Sequence, residues 1–461
     1  MRKLLWPLLI TLLVPASLPA QELDWAAYQE LALRQLQAYL QIDTTNPPGN
    51  ELAAARFFQE WFQREGIPVE VYEIAPGRAN LVARLSGDGA QRPLILLNHM
   101  DVVSSDPERW RVPPFSATIV AGDLYARGAL DMKGLGLLQA MVLVMLHREK
   151  IPLRRDVLFV ATADEEVGML GTHWLIEHKR DLLANAEYLL TEGGENLVEN
   201  GQIKFFGVDI AEKAPYWLRL RATGQPGHGS RPLPDSAAHR LARALARVVD
   251  WETEIKILPT VERFFRDIAP LEPPARAAQF RNLRQAIQQP EFRAWVTRDE
   301  MYNYLLRNTV SLTVLQGSKQ TNVIPGEAVA HLDVRLLPGE DPEAFRKELR
   351  KVVADDTITI EPLQTDFRPA TSSPTDTELF AAIERTVARY FPGAIITSRL
   401  LSGYTESGLL RPLGIVCYGL SPFLLTREET ASVHGDNERV SVENVRRGLR
   451  LLYEVVEQVV R

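Results

Sequence analysis

Pro93–Val103 reads PLILLNHMDVV, an unbroken apolar run that delivers a histidine and, two residues later, an aspartate. Continuous Leu/Ile/Val runs of this kind are what strands of a parallel sheet covered on both faces produce. Asp156–Gly168 (DVLFVATADEEVG) and Tyr188–Gly194 (YLLTEGG) repeat the arrangement. The three runs place His99, Glu165–Glu166 and Glu192 near strand C-termini, where open α/β sheets put their ligand sites. Tyr125–Gly134 (YARGALDMKG) and Ser432–Val440 (SVHGDNERV) add further metal-capable residues. Imidazole and carboxylate together form a mixed N/O donor set that Zn²⁺ accepts without thiolate.

Working outward, residues 24–65 read as helical around a turn at Asn46-Pro47-Pro48-Gly49. Val69–Tyr72 and Asn80–Leu85 alternate like strands. Gly134–Arg148 is apolar almost all round, as a helix packed on a sheet should be. A helix over Gly171–Leu183 follows the Glu165–Glu166 strand. The expected fold class is therefore α/β, a mostly parallel sheet sandwiched by helices.

From about Pro215 the pattern changes to antiparallel strands with two helices, an α+β unit of the split βαβ kind. Inside it, Trp251–Asn308 reads as an extra helical insertion carrying Phe264, Phe265, Phe280, Phe292 and Trp295, a stripe expected to be core or subunit interface. After Thr371 the α/β character returns, with a helix over Thr377–Tyr390, a strand over Ile415–Leu420 and a helix over Val442–Val460. The expected division is a catalytic domain over residues 21–212 and 367–461. A lid over 213–366, with its helical insertion 251–308, interrupts it.

The chain has 461 residues and a formal charge of −7. Arg2 and Lys3 precede an apolar run, Leu4–Val14, and a small-residue stretch ending at Ala20, the layout of a cleavable export signal over residues 1–20. The apolar run is shorter than the about 20 residues that span a bilayer, so no stable membrane anchor is expected. The expectation is a periplasmic or secreted protein. Loss of two basic residues and no acid takes the charge from −7 to −9, which argues against nucleic acid as partner. Cys417, the single cysteine, lies in an apolar run and reads as a buried small hydrophobe.

The segments NHMDVV, ARGALDMKG, TADEEVG, TEGG, PGHGS, TNVIPGEA, DVR and HGDNE resemble those of the aminoacylase, glutamate carboxypeptidase and carnosine dipeptidase family of dinuclear zinc hydrolases. The resemblance runs from about Leu31 to the C-terminus. It implies two Zn²⁺ per chain, with Co²⁺ or Mn²⁺ as substitutes, held by His99, Asp131, Glu166, Glu192 and His434. Asp131 would be shared by both ions, because two cations about 3.5–4 Å apart need a common anion. Taken alone, Asp131 reads as a helix cap and DEE as an acidic strand end.

By the same resemblance Glu165 is the general base and Asp101 the carboxylate that orients His99. His228 is a lid histidine that steadies the oxyanion, often in the partner subunit's site. Asn322 and Arg335 hold the substrate carboxylate, and Gly403 belongs to a backbone turn on the substrate side. There the sequence departs from its relatives: Gly403–Gly408 reads GYTESG, where they often have Gly-Gly-Thr-Asp and then an Arg. The implied reaction is hydrolysis of a peptide or N-acyl amide next to a free carboxylate, by a homodimer joined through its lids. A dipeptidase, a reversible N-fatty-acyl-amino-acid synthase/hydrolase and a non-catalytic binding relative are the alternatives.

Overall fold

The computed structural model describes residues 23–199, 202–363 and 367–461. The export segment expected at residues 1–20 lies outside them. Among the described residues no helix is long and apolar enough to cross a membrane.

Among the described residues, the larger of two principal sheets has nine strands. Val69–Ala75 is followed across it by Arg78–Leu85, Val157–Thr162, Leu94–His99, Tyr188–Thr191, Val416–Gly419, Gln202–Glu212 and Ile395–Leu401, with Asn196–Glu199 paired to Gln202–Glu212. Its centre is parallel: Leu94–His99 runs with both Val157–Thr162 and Tyr188–Thr191, which runs with Val416–Gly419. Side chains alternate across the pleat. Leu94 and Leu96 enter a core with helices Trp25–Leu40, Glu51–Glu65, Lys133–Arg148 and Val442–Val460, whereas Ile95 and Leu97 meet Leu175, Leu183 and Leu410 on the other face. Helices therefore cover both faces, as the unbroken apolar runs require. Each Leu or Met buried on Lys133–Arg148 stabilises the stack by about 1.5–3 kcal/mol, and a charged residue at Met141 would break it. Cys417 is buried on the second face, where desolvation pushes its thiol up to about 12.

The smaller sheet is antiparallel, in the order Ala214–Pro215, Glu327–Leu336, Leu218–Thr223, Thr359–Pro362, with Thr309–Gln316 also paired to Glu327–Leu336. Helices Ala237–Val249 and Pro342–Val353 bury Leu241, Leu245, Phe345 and Leu349 against it, in a core separate from that of the large sheet.

Three details differ from the sequence expectation. The helical segment within 251–308 does not join the core of the small sheet. Phe264, Phe265, Phe280 and Phe292 belong to the large-sheet core, and Phe264 meets Phe205 edge-on with 5.9 Å between ring centroids. The helix expected over Gly171–Leu183 is two, Leu170–His178 and Arg180–Ala184, because Lys179 leaves helical geometry with its ammonium 4.5 Å from the centroid of the Tyr72 ring. Strands Gln202–Glu212 and Ile395–Leu401 had no counterpart in the sequence reading. They bury polar Asp209, Thr397, Ser398 and Arg399, which mask the apolar signature of a strand.

Candidate active site

The strand ends deliver their polar residues to one place. His99 closes its strand, and Glu192 follows Tyr188–Thr191. After Val157–Thr162, Asp164 adopts a left-handed backbone (φ 71°), and the turn that follows points both Glu165 and Glu166 at the cluster. An extended strand would have sent them to opposite faces. Asn46, from the Pro-Pro turn, ties this corner together: its amide donates to Asp101 Oδ2 at 2.8 Å and to Asp164 Oδ1 at 2.9 Å.

Among the described residues two groups of possible metal ligands result, His99–Asp131–Glu192 and Asp131–Glu166–His434. Asp131 belongs to both. Its Oδ1 is 3.1 Å from His99 Nε2 and its Oδ2 is 3.0 Å from His434 Nε2. Glu192 lies 3.7 Å from His99 Nε2, and Glu166 lies 3.1 Å from His434 Nε2. Glu165 approaches His99 Nε2 at 4.0 Å without being part of either group.

Asp101 faces His99 with both its backbone carbonyl and its carboxylate. His99 Nδ1 faces the Asp101 backbone carbonyl at 3.0 Å, while the nearer carboxylate oxygen is at 3.5 Å. The carbonyl accepts the Nδ1 proton and leaves Nε2 as the donor atom facing the cluster. The carboxylate also accepts the backbone N–H of Glu165 at 3.1 Å and of Glu166 at 3.2 Å. One residue thus sets both the histidine tautomer and the Glu165–Glu166 turn.

Crowding of acids shapes the titration. Burial pushes Glu192 up to about 7, with the Asp131 and Glu166 charges adding to it against the pull of His99. Burial, then the Glu192 charge, raises Glu165 well above the usual carboxylate range. Although burial opposes ionisation of Asp131, hydrogen bonds from His434 and His99 hold its carboxyl low. Hydrogen bonds to Asp131 and Glu166 raise His434 to about 10. Burial alone would lower His99, but Glu192, Asp101 and Asp131 raise it well above its ordinary value. Such a surplus of negative charge is what divalent cations neutralise. Glu166 Oε1, buried with no hydrogen-bond partner, adds a donor atom that only an ion or water would satisfy. The residues fit a pair of metal ions.

Both anchoring loops are held by buried groups that the sequence reading did not single out. Glu438 accepts the N–H of Leu130 at 2.7 Å and of Asp131 at 3.1 Å, and pairs with Arg127 at 2.7 Å. Asp209 accepts the Gly194 N–H at 2.7 Å and faces Arg399 at 3.8 Å, steadying the turn after Glu192. Glu438 was within reach as the last residue of HGDNE. Asp209 carried no local pattern.

A cavity of 680 Å³ opens beside Glu165, Glu166 and His434, and its wall includes Arg335 and Gly403. Arg335 is engaged by Asp333, with Nε to Oδ1 at 2.8 Å and Nη2 to Oδ2 at 3.2 Å. Arg368 lines the same cavity and was not anticipated. In the GYTESG loop Thr405 is held by Glu212, through its N–H at 3.0 Å and its hydroxyl at 2.8 Å, and Glu406 is buried beneath the site and accepts from Thr172. His228 and Asn322 neighbour one another where Gly227–His228 pairs with Val323–Ile324, but neither lines the cavity of its own chain.

The sequence profile of peptidase family M20/M25/M40 matches residues 95–458. The chain belongs to that family. It is accordingly a metal-dependent hydrolase of amide bonds. Among curated relatives, the human N-fatty-acyl-amino acid synthase/hydrolase PM20D1 is 27% identical over 397 residues, covering 84% of this chain and 78% of its own. Mouse aminoacylase-1 is 27% identical over 423 residues, covering 89% and 91%. Among solved structures, an M20 family metallo-carboxypeptidase from Sulfolobus solfataricus superposes with a TM-score of 0.70 at 20% identity, covering 92% of this chain and 98% of that one. Human carnosine dipeptidase 1 gives 0.68 at 17% identity, covering 94% and 97%. These two likenesses establish the shared fold.

Proposed function

We propose that the protein is an exported dinuclear zinc hydrolase that cleaves a peptide or N-acyl amide bond next to a free carboxylate. The observation that carries the reading is the position of Asp131, with one carboxylate oxygen towards each histidine-centred ligand group. His99 and Glu192 would hold one ion, Glu166 and His434 the other, and Asp131 both. When bound, the ions polarise the substrate carbonyl and acidify water.

Everything else falls to the chain. Glu165 is no ligand in either group but lies at their edge, so its carboxylate is free to take the proton of the attacking water and carry it to the leaving amine. Asp101 fixes the Glu165 backbone, so the base is held in place before substrate arrives. Arg335 offers positive charge on the cavity wall for the substrate carboxylate. Because His228 and Asn322 stand outside their own chain's cavity, we assign them to a neighbouring subunit's site in a homodimer joined through the lids.

Metal analysis of purified protein, combined with hydrolysis assays of N-acyl amino acids and dipeptides under Zn²⁺, Co²⁺ and Mn²⁺, tests the reading. Two ions per chain and metal-dependent release of an amino acid are expected. A single ion, or activity unaffected by chelation, would refute it. For export, N-terminal sequencing of protein recovered outside the cytoplasm should begin near Gln21. Recovery of the intact N-terminus inside the cell would count against it.

A further inference from the structure

The polypeptide leaves the large sheet at Lys213, between strands Gln202–Glu212 and Ala214–Pro215, and returns to it after Thr359–Pro362. A crossing by a single stretch of backbone each way is the layout of a hinge, about which one unit can swing on the other. A further connection spans the same gap. The helices within 251–308 grow out of the small-sheet unit, yet they bury their apolar faces in the large-sheet core.

Their root belongs to the small-sheet unit. Trp251 packs on Phe345 with 5.4 Å between ring centroids, and Ile255 bridges to Arg307, closing the insertion at its base. Glu340, between strand Glu327–Leu336 and helix Pro342–Val353, accepts from Lys256 Nζ at 2.8 Å and from Asn308 Nδ2 at 2.9 Å. Their body belongs to the large-sheet unit. Helix Pro259–Ile268 turns Val261, Phe264, Phe265 and Ile268 inwards, the i, i+3, i+4, i+7 spacing of one helix face. Each of the four is at most 4% exposed, and burial of each favours the docked state by roughly tenfold or more. At the rim, Asp267 Oδ2 accepts the Thr397 hydroxyl at 3.0 Å, and Arg263 Nη1 donates to Thr375 Oγ1 at 2.7 Å. The insertion also grips the crossing itself, because Lys213 Nζ donates to the carbonyls of Tyr304 at 3.2 Å and Arg307 at 2.9 Å. A swing of either unit would shear all of these contacts.

We propose that the helices of 251–308 are a strap that fixes the small-sheet unit at one angle on the large-sheet unit. The cavity shows what the strap secures, for Pro215, Trp217 and Arg335 of the small-sheet unit line it together with Glu165, Glu166 and His434 of the other. With the hinge strapped, those groups keep their separations, and the cavity is assembled before any ligand enters. No swing of one unit is needed to complete it. Pre-organisation of this kind removes an ordering cost from the binding step.

Spin labels at Glu60→Cys, on helix Glu51–Glu65, and Lys351→Cys, on helix Pro342–Val353, report the angle between the units. Both positions are exposed, and the native Cys417 is buried. Labelled chains are diluted into unlabelled ones, so that double electron–electron resonance reads pairs within one chain. Metal-stripped and Zn²⁺-loaded protein should give the same single, narrow distance distribution. Two populations, or a shift on Zn²⁺ loading beyond about 2 Å, the scale of a domain rearrangement, overturn the proposal. Phe264→Asp sets a charge against the large-sheet core and should widen the distribution by more than about 2 Å. Phe264→Ala/Asp267→Ala removes packing and the Thr397 bond without burying a charge. It should widen the distribution as well, and it serves where the first variant fails to fold. A distribution that stays narrow in either folded variant overturns the strap, and the unaltered chain tests it without any variant.

Discussion

Asp131 donates its backbone N–H to the Glu438 carboxylate at 3.1 Å, across 307 residues of sequence. The same loop carries His434, so this bond joins the shared aspartate to the histidine that faces it. Glu438 is fully buried with Arg127, and the pair closes over the turn that positions Asp131. Glu438→Ala should cost about 3–5 kcal/mol in denaturant unfolding, because it leaves a buried guanidinium and several N–H groups unpaired. Glu438→Gln keeps the shape but loses the charge, and should weaken metal affinity by roughly 10–100-fold. Unchanged affinity in a metal titration of the Gln variant would show that the bond does not hold the site.

The adjacent glutamates should separate cleanly. Glu165→Gln removes a base and no ligand, so metal content should persist while kcat falls by about 10²–10⁴. Glu166→Gln removes a ligand, so metal affinity and some thermal stability should go with it. If Glu165→Gln loses an ion while Glu166→Gln keeps both, the two roles are exchanged.

Arg335→Ala should lower kcat/KM on substrates with a free carboxylate by about tenfold or more, the loss of a charge-assisted pair worth about 1.5–3 kcal/mol. The corresponding amides should change little. Equal losses on acid and amide would make Arg335 a structural partner of Asp333, to which it is already bonded.

His228→Ala should retain metal and lose about 10²–10³ in kcat, as removal of an oxyanion donor does. Mixing inactive His228→Ala chains with inactive Glu165→Ala chains should restore part of the activity if His228 serves the neighbouring subunit. Verified subunit exchange without recovery would place its role elsewhere.

Lys213 links the two sheets, donating from Nζ to the carbonyls of Tyr304 at 3.2 Å and Arg307 at 2.9 Å. Burial, with the Arg335 charge adding to it, lowers its pKa from 10.5 to about 7. Between these values the unfolded chain binds more protons at Lys213 than the folded one, so this residue makes stability rise with pH, by up to about 1.4 kcal/mol per pH unit. Its contribution is smallest below pH 7 and complete above 10.5. Lys213→Met should flatten the pH dependence of unfolding between pH 7 and 9.5. An unaltered slope would mean that Lys213 stays protonated in the folded state.

The sequence by itself determined the central sheet. Leu94–Leu97, Val157–Val160 and Tyr188–Leu190 are apolar on both faces, and only a strand covered twice tolerates that. Strand order then carries His99, Glu166 and Glu192 to neighbouring ends of neighbouring strands. Local pattern marked those positions because they interrupt runs that are otherwise uniform, while the choice of Glu166 over Glu165 as a ligand came only from the family resemblance. Tertiary structure alone decided what holds them. Asp209 and Arg399 come from strands that also bury polar Thr397 and Ser398, so neither strand has a readable apolar pattern. The helices of 251–308 carry an apolar stripe that fits any core, and only packing assigns them to the large sheet. Asp101 required coordinates as well, since a carbonyl and a carboxylate on one residue are indistinguishable in a sequence, and it is the carbonyl that lies nearer His99 Nδ1.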